Sequence, residues 1–237
     1  MEGQTSPKDI AFIVYPGLTP LDLVGPLEVV TILALLSQDY RAVVVGQTLD
    51  PVETDGPLKL VADKTFAEVP SPFAFIVPGG AAPTMRALGD ESLLAYVRAA
   101  SEKAAVIGSV CTGSLILAAA GLLDGRKATT HWSCAKQLER LGAHYVPERW
   151  VEDGRIITSA GVSAGIDMAL HLVGRLAGEE VARQVQLIIE YDPQPPLGGI
   201  DWSGLDRDML DPLVDQWIVE GLADRPDLRD RLGAFST

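Results

Sequence analysis

At 237 residues, with 47% hydrophobic and 22% charged residues, the chain is long enough for one well-filled core and shows neither low-complexity stretches nor short repeats. A net charge of −13 repels phosphate backbones and anionic bilayers, so nucleic acid and membrane are excluded as expected partners. The opening MEGQTSPKDIAF lacks the basic start and apolar stretch of a secretory signal; with only two cysteines, free thiols and a cytoplasmic location are expected.

In chain order, residues 10–15 (IAFIVY) read as a buried strand and 23–36 as a helix. Strands follow at 42–46 and 73–77, then a helix at 91–103 and a strand at 105–110. Helices are predicted at 113–120 and 134–141; the apolar run 114–123 is too short to cross a bilayer. Asp153-Gly154 marks a hairpin within 150–159, and helices follow at 163–176 and 179–189. Residues 192–199 form a Pro/Gly-rich loop leading to a tail with helical character over 206–222. Continuous apolar strands alternating with helices predict an α/β three-layer sandwich with a mostly parallel sheet covered on both faces. The domain is expected to span residues 8–196, with 197–237 as a helical tail packing on it or across a dimer interface.

Ligands in such sheets bind beyond the carboxyl ends of the strands. Three of those ends carry chemistry: Pro20-Leu21-Asp22 after the first, Pro78-Gly79-Gly80 after 73–77, and Cys111-Thr112-Gly113 after 105–110. Ser109-Val110-Cys111-Thr112-Gly113 follows the pattern of a nucleophile elbow, with small residues two before and two after the thiol. Helix amides aimed at the sulfur would favour the thiolate; the plainer reading is a small buried cysteine filling a strand–helix gap. Asp22 reads locally as the N-cap of 23–36. Facing Cys111 instead, it would share one proton with the thiol and be pushed toward its neutral form. Gly79 and Gly80 are either a simple turn or half of an anion-stabilising pocket, with the Thr112 amide as the other half.

His131 fits a thiol–imidazole pair or a packed histidine equally well. A metal site from Cys111, His131 and Cys134 fails for want of a second ligand pair at the usual spacing. His144 and His171 read as structural, and Asp167 as a helix-start residue near glycines that could line a pocket. Tyr15, Trp132 and Trp150 are candidate pocket walls.

At these residues the sequence resembles the DJ-1/PfpI superfamily and, within it, the isocyanide hydratases. The similarity spans about residues 10–196 and is carried by LDLVGP, PGG, SVCTGSLILAAAGLLDGRKATTHW, GVSAGIDMAL and QVQLIIEYDPQPP. It implies a flavodoxin-like fold shared with class I glutamine amidotransferases, Cys111 as nucleophile, Asp22 as general acid/base, and Thr112 assisting substrate or water. It further implies a homodimer without a cofactor, and His131 matches a histidine that serves as base in some relatives; a substrate pocket at Gly79, Gly80, His131 and Gly161, with no metal, is expected. Implied too is hydration of an isocyanide to an N-substituted formamide. Related regulators append a helix-turn-helix module, but after Pro193 this chain has nine acidic and four basic residues, too acidic and too short for one. A stand-alone sensing or redox-sensing domain, an amidase or a glyoxalase-like enzyme are the rival expectations.

Overall fold

A computed structural model describes residues 6–233. Its elements run β1 (Lys8–Ile13), α1 (Pro20–Leu36), β2 (Tyr40–Gly46), β3 (Val52–Glu53), β4 (Lys59–Leu60), β5 (Lys64–Thr65) and β6 (Ala74–Val77). Then come α2 (Ala82–Ala87), α3 (Glu91–Lys103), β7 (Val106–Val110), α4 (Gly113–Ala119), β8 (Lys127–Ala128), a 3₁₀ turn (Trp132–Cys134) and α5 (Ala135–Arg140). The chain continues through β9 (His144–Tyr145), β10 (Trp150–Asp153), β11 (Ile156–Ser159), α6 (Ala164–Ala177), α7 (Glu179–Ile188), α8 (Asp211–Gly221) and α9 (Pro226–Leu232).

One seven-stranded sheet in the order β10-β11-β7-β6-β1-β2-β5 forms the middle layer. All its pairings are parallel except the β10–β11 hairpin, whose turn is set by Gly154 at φ +67°. The expected mostly parallel α/β sandwich is therefore the observed fold. β6 and β7 are buried along their whole length, as strands covered on both faces must be. Phe12, Phe75, Ile76 and Ile107 fill the centre, each contributing about 1.5–3 kcal/mol of apolar burial. On one face α1, α6 and α7 pack together; α2, α3, α4 and α5 cover the other. Gly25 permits the α1–α6 approach, since a Cβ there would lie 3.0 Å from Ile166 Cγ1, and Gly165 lets α6 approach β7, where a Cβ would lie 3.0 Å from Val110.

The chain runs from β1 outward to β2, then returns to β6 on the other side of β1. The strand order thus reverses between β1 and β6, which is where sheets of this class bind ligands. The two-residue strands β3, β4, β5, β8 and β9 are too short to show a period and were not expected from the sequence. Residues 191–210 carry neither helix nor strand. Beyond them α8 lies on α2, where a Cβ at Gly221 would fall 2.4 Å from the Ala82 carbonyl oxygen. Val214, Ile218 and Leu232 belong to the same apolar core as the sheet.

Candidate active site

β7 delivers Cys111 into a conformation that few L-residues adopt, φ +56°. Such a residue costs on the order of 1–3 kcal/mol and persists only where its surroundings hold it. Here they do. Its N–H donates to the carbonyls of Ser159 and Ala160, both at 3.1 Å. Its carbonyl accepts from Thr130 Oγ1 (3.1 Å) and Ser114 Oγ (3.2 Å). The small residue after the turn is required by space: a Cβ at Gly113 would sit 2.2 Å from the Val77 carbonyl oxygen. Cys111 thus stands at a strained turn between β7 and α4.

Asp22 lies inside the first turn of α1, with Thr19 in the N-cap position, so it is not the cap that local sequence favoured. The turn before α1 is stitched to the β6 end by the Thr19 N–H donating to the Gly79 carbonyl at 2.8 Å. That stitch carries the carboxyl beneath the sheet ends, fully buried, where Oδ2 accepts from the Gly79 N–H at 3.0 Å. Oδ1 has no hydrogen-bond partner among the described residues. Burial pushes the Asp22 carboxyl up to about 7, against the opposing pull of the Gly79 amide and of the neighbouring Cys111 thiol. Burial likewise pushes the Cys111 thiol well above its ordinary value, and the charge of Asp22 adds to this. The amides of Val162 and Thr112 face the sulfur and pull the other way without prevailing. Burial and the Asp22 charge thus oppose the thiolate that the helix start alone would favour.

Gly79 and Gly80 differ from their expected role as free anion-binding amides. The Gly79 amide is occupied by Asp22, and the Gly80 amide donates to Thr112 Oγ1 at 2.9 Å. The Thr112 hydroxyl donates in turn to the Gly80 carbonyl at 2.7 Å, so it is locked to the β6 loop rather than free to serve a substrate. Only glycine fits at 79, where a Cβ would lie 2.5 Å from both Thr112 N and Oγ1. Three strand ends are thus clamped to one another through these bonds. The anion-facing amides are those of Thr112 and, unforeseen from sequence, Val162, itself at φ +32°.

A cavity of about 420 Å³ opens beside this cluster, lined in part by Leu21, Thr130 and Val162. Each adjoins the pair: Leu21 precedes Asp22, Thr130 bonds the Cys111 carbonyl, and the Val162 amide faces the sulfur. Cys111 and Asp22 themselves lie behind that wall; Cys111 is 5% exposed. His131 and Gly161 line the cavity together, in such close contact that a Cβ at Gly161 would sit 2.5 Å from the imidazole Cδ2. His131 Nδ1 is engaged by Ser133 Oγ at 2.7 Å, and burial pushes the imidazole below its ordinary range. Of the aromatic candidates, Trp132 lines the cavity. Tyr15 does not: its hydroxyl donates to the Pro78 carbonyl (3.0 Å) and sits 2.8 Å from Thr84 Oγ1, inside the core. Trp150 does not either, lying against His171 with ring centroids 5.5 Å apart. Tyr145, Arg149, Ile200, Trp202 and Arg207 also line it and were not singled out as site residues from sequence. No group of three or more potential metal ligands occurs among the described residues.

The model of the DJ-1/PfpI family matches residues 8–175. The chain belongs to the DJ-1/PfpI family. It is 42% identical over 189 residues to an isonitrile hydratase of Pseudomonas putida, covering 79% of this chain and 80% of that one. It is 31% identical over 181 residues to the helix-turn-helix transcriptional regulator CdhR of Pseudomonas aeruginosa, but spans only 53% of that protein. Among solved structures, a ThiJ/PfpI family protein from Pseudomonas syringae superposes with a TM-score of 0.79 at 38% identity, covering 97% of this chain and 91% of that one. Drosophila melanogaster DJ-1beta shares the fold, with a TM-score of 0.70 at 23% identity over 79% of this chain and all of that one. No helix among the described residues is long and apolar enough to cross a membrane.

Proposed function

We propose that this DJ-1/PfpI family member is an isocyanide hydratase, adding water to R–N≡C to give the formamide R–NH–CHO. The observation that carries this reading is a fully buried carboxyl, bonded to the Gly79 amide and pushed up to about 7, neighbouring the Cys111 thiol. Similarity to the Pseudomonas putida isonitrile hydratase supports it.

An isocyanide's terminal carbon accepts a nucleophile and must also gain a proton, so it needs a thiol and an acid on one side of a pocket. Asp22, ionised, takes the thiol proton as the sulfur attacks; the neutral carboxyl then protonates the carbon, giving a Cys111 thioimidate, R–N=CH–S. Water adds to that carbon, passing a proton to the Asp22 carboxylate, which hands it to the nitrogen. The remaining hydroxyl proton returns through Asp22 to sulfur as the C–S bond breaks. Thiol and carboxylate are restored, and one water has been consumed. The Thr112 and Val162 amides steady negative charge on sulfur in the attacking and leaving steps.

The test is turnover of phenyl isocyanide, followed as formanilide, by wild type, Cys111→Ala, Asp22→Asn and His131→Ala. Loss in the first two variants with retention in His131→Ala is expected; no turnover by wild type overturns the reading. A sensing domain is the second reading, favoured by similarity to the regulator CdhR, and ligand binding without turnover is its signature.

A further inference from the structure

The groups that ring the cavity are unequally committed. Arg149 donates to Asp167 Oδ2 at 2.6 Å and to Ser163 Oγ at 3.3 Å, so its charge is spent. His131 is held toward its neutral form by burial, and Glu148 sits at the exposed rim. Arg207 is different. It has no other Lys or Arg between Arg183 and Arg225 to share its acidic stretch, yet it pairs with no carboxylate among the described residues. Its acidic neighbours are engaged elsewhere: Lys136 pairs with Asp208 at 2.9 Å and with Asp211 at 2.5 Å, and Asp206 Oδ1 accepts the Asp208 amide at 3.0 Å. The guanidinium instead lies beside the Tyr145 hydroxyl and lines the cavity wall. A second cavity of about 400 Å³ adjoins on the same residues, Trp132, Tyr145 and Arg207.

We propose that the cavity admits isocyanides bearing a carboxylate on an aromatic frame, the ring bordered by Trp132 and Trp202 and the carboxylate read by Arg207. The assignment rests on the hydratase reading for the reacting end, and on the cavity lining alone for the far end. A planar guanidinium presents two parallel N–H donors that match a carboxylate, and Tyr145 adds a hydroxyl donor beside them. In a chain of net charge −13 an anionic substrate gains nothing from the overall field, so its recognition must come from such a local donor set. About 420 Å³ accommodates a single substituted ring.

The experiment separates this assignment from the chemistry by using unreactive product ligands. Calorimetry on the whole chain would compare 4-formamidobenzoate with formanilide for wild type, Arg207→Gln and Arg207→Lys, alongside turnover of 4-isocyanobenzoate and phenyl isocyanide. Wild type is expected to bind the carboxylated ligand roughly tenfold more tightly, with the ratio near one in Arg207→Gln and intermediate in Arg207→Lys. Equal binding by wild type, or a preference that survives in Arg207→Gln, overturns the proposal whatever the turnover shows. A preference that obeys Arg207 without turnover of either isocyanide sinks the hydratase reading and leaves the carboxylate site standing.

Discussion

Two regions border the same cavity and are built in opposite ways. Around Cys111 the polar groups of three strand ends bond to one another: Asp22 to Gly79, Gly80 to Thr112, and Cys111 to Ser159, Ala160 and Thr130. Residues 191–210 reach the cavity with Ile200, Trp202 and Arg207 but carry no helix or strand, and Trp202 remains 46% exposed. The first arrangement holds its polar groups in place through hydrogen bonds between buried neighbours. The second supplies shape and charge on a backbone free to vary without disturbing the sheet. On the proposed function, chemistry would belong to the clamped strand ends and choice of substrate to the tail.

The sharpest way to break that division is Asp22→Asn. Removing the shared proton carrier should lower kcat/KM by about 10²–10⁴. Wild-type kcat/KM should rise with pH through about 7, the value to which burial pushes this carboxyl, because the ionised form must take the thiol proton. Stability should move the other way. The folded-state pKa lies above the unfolded one, so its contribution is complete below about 4 and is lost as pH rises to about 7. Above that pH the variant should be the more stable protein by an amount on the order of 2–4 kcal/mol, measured by urea denaturation across pH 4–8. A wild-type curve parallel to that of Asp22→Asn would mean the carboxyl is not desolvated.

Gly79→Ala tests the clamp itself. The added methyl would meet Thr112 N and Oγ1 at 2.5 Å, where backbone stands and cannot yield. Overpacking of this kind should cost about 1–3 kcal/mol in denaturant midpoint and displace both Asp22 and the Thr112 amide. Turnover should therefore fall further than stability alone accounts for. An active, fully stable variant would show that the strand ends are looser than they look.

The same contrast decides what could be read from sequence. The turn from β7 into α4 at Cys111 was legible because its signature is local: a β-branched strand, a thiol, a glycine and a helix within ten residues. The parallel sheet was legible from its continuous apolar runs. The placement of Asp22 was legible only as one of two alternatives, since its neighbours favour a cap and Cys111 stands far away in sequence. The fate of the Gly79 and Gly80 amides was not legible: a Gly-Gly pair announces a close approach but not what approaches. Burial of the thiol outweighed the favourable helix start, a balance that only the packed environment sets. In the tail, Trp202 and Arg207 are an exposed tryptophan and one cation among acids, and no periodicity places them beside Tyr145.

The smallest effect expected is also the one that isolates the tail. Trp202→Ala removes apolar wall from the cavity at a half-exposed position outside any helix or strand. Stability should change by no more than about 0.5 kcal/mol, since little packing is lost. The wall it supplies to a bound ring is worth about 1 kcal/mol, so KM for an aryl isocyanide should rise roughly fivefold. Because no polar group of the clamp touches this side chain, kcat and the acid limb near pH 7 should stay where they are. A fall in kcat or a displaced limb would show that residues 191–210 help to set the proton held between Asp22 and Cys111, and reaction and selection would then have to be treated as one device.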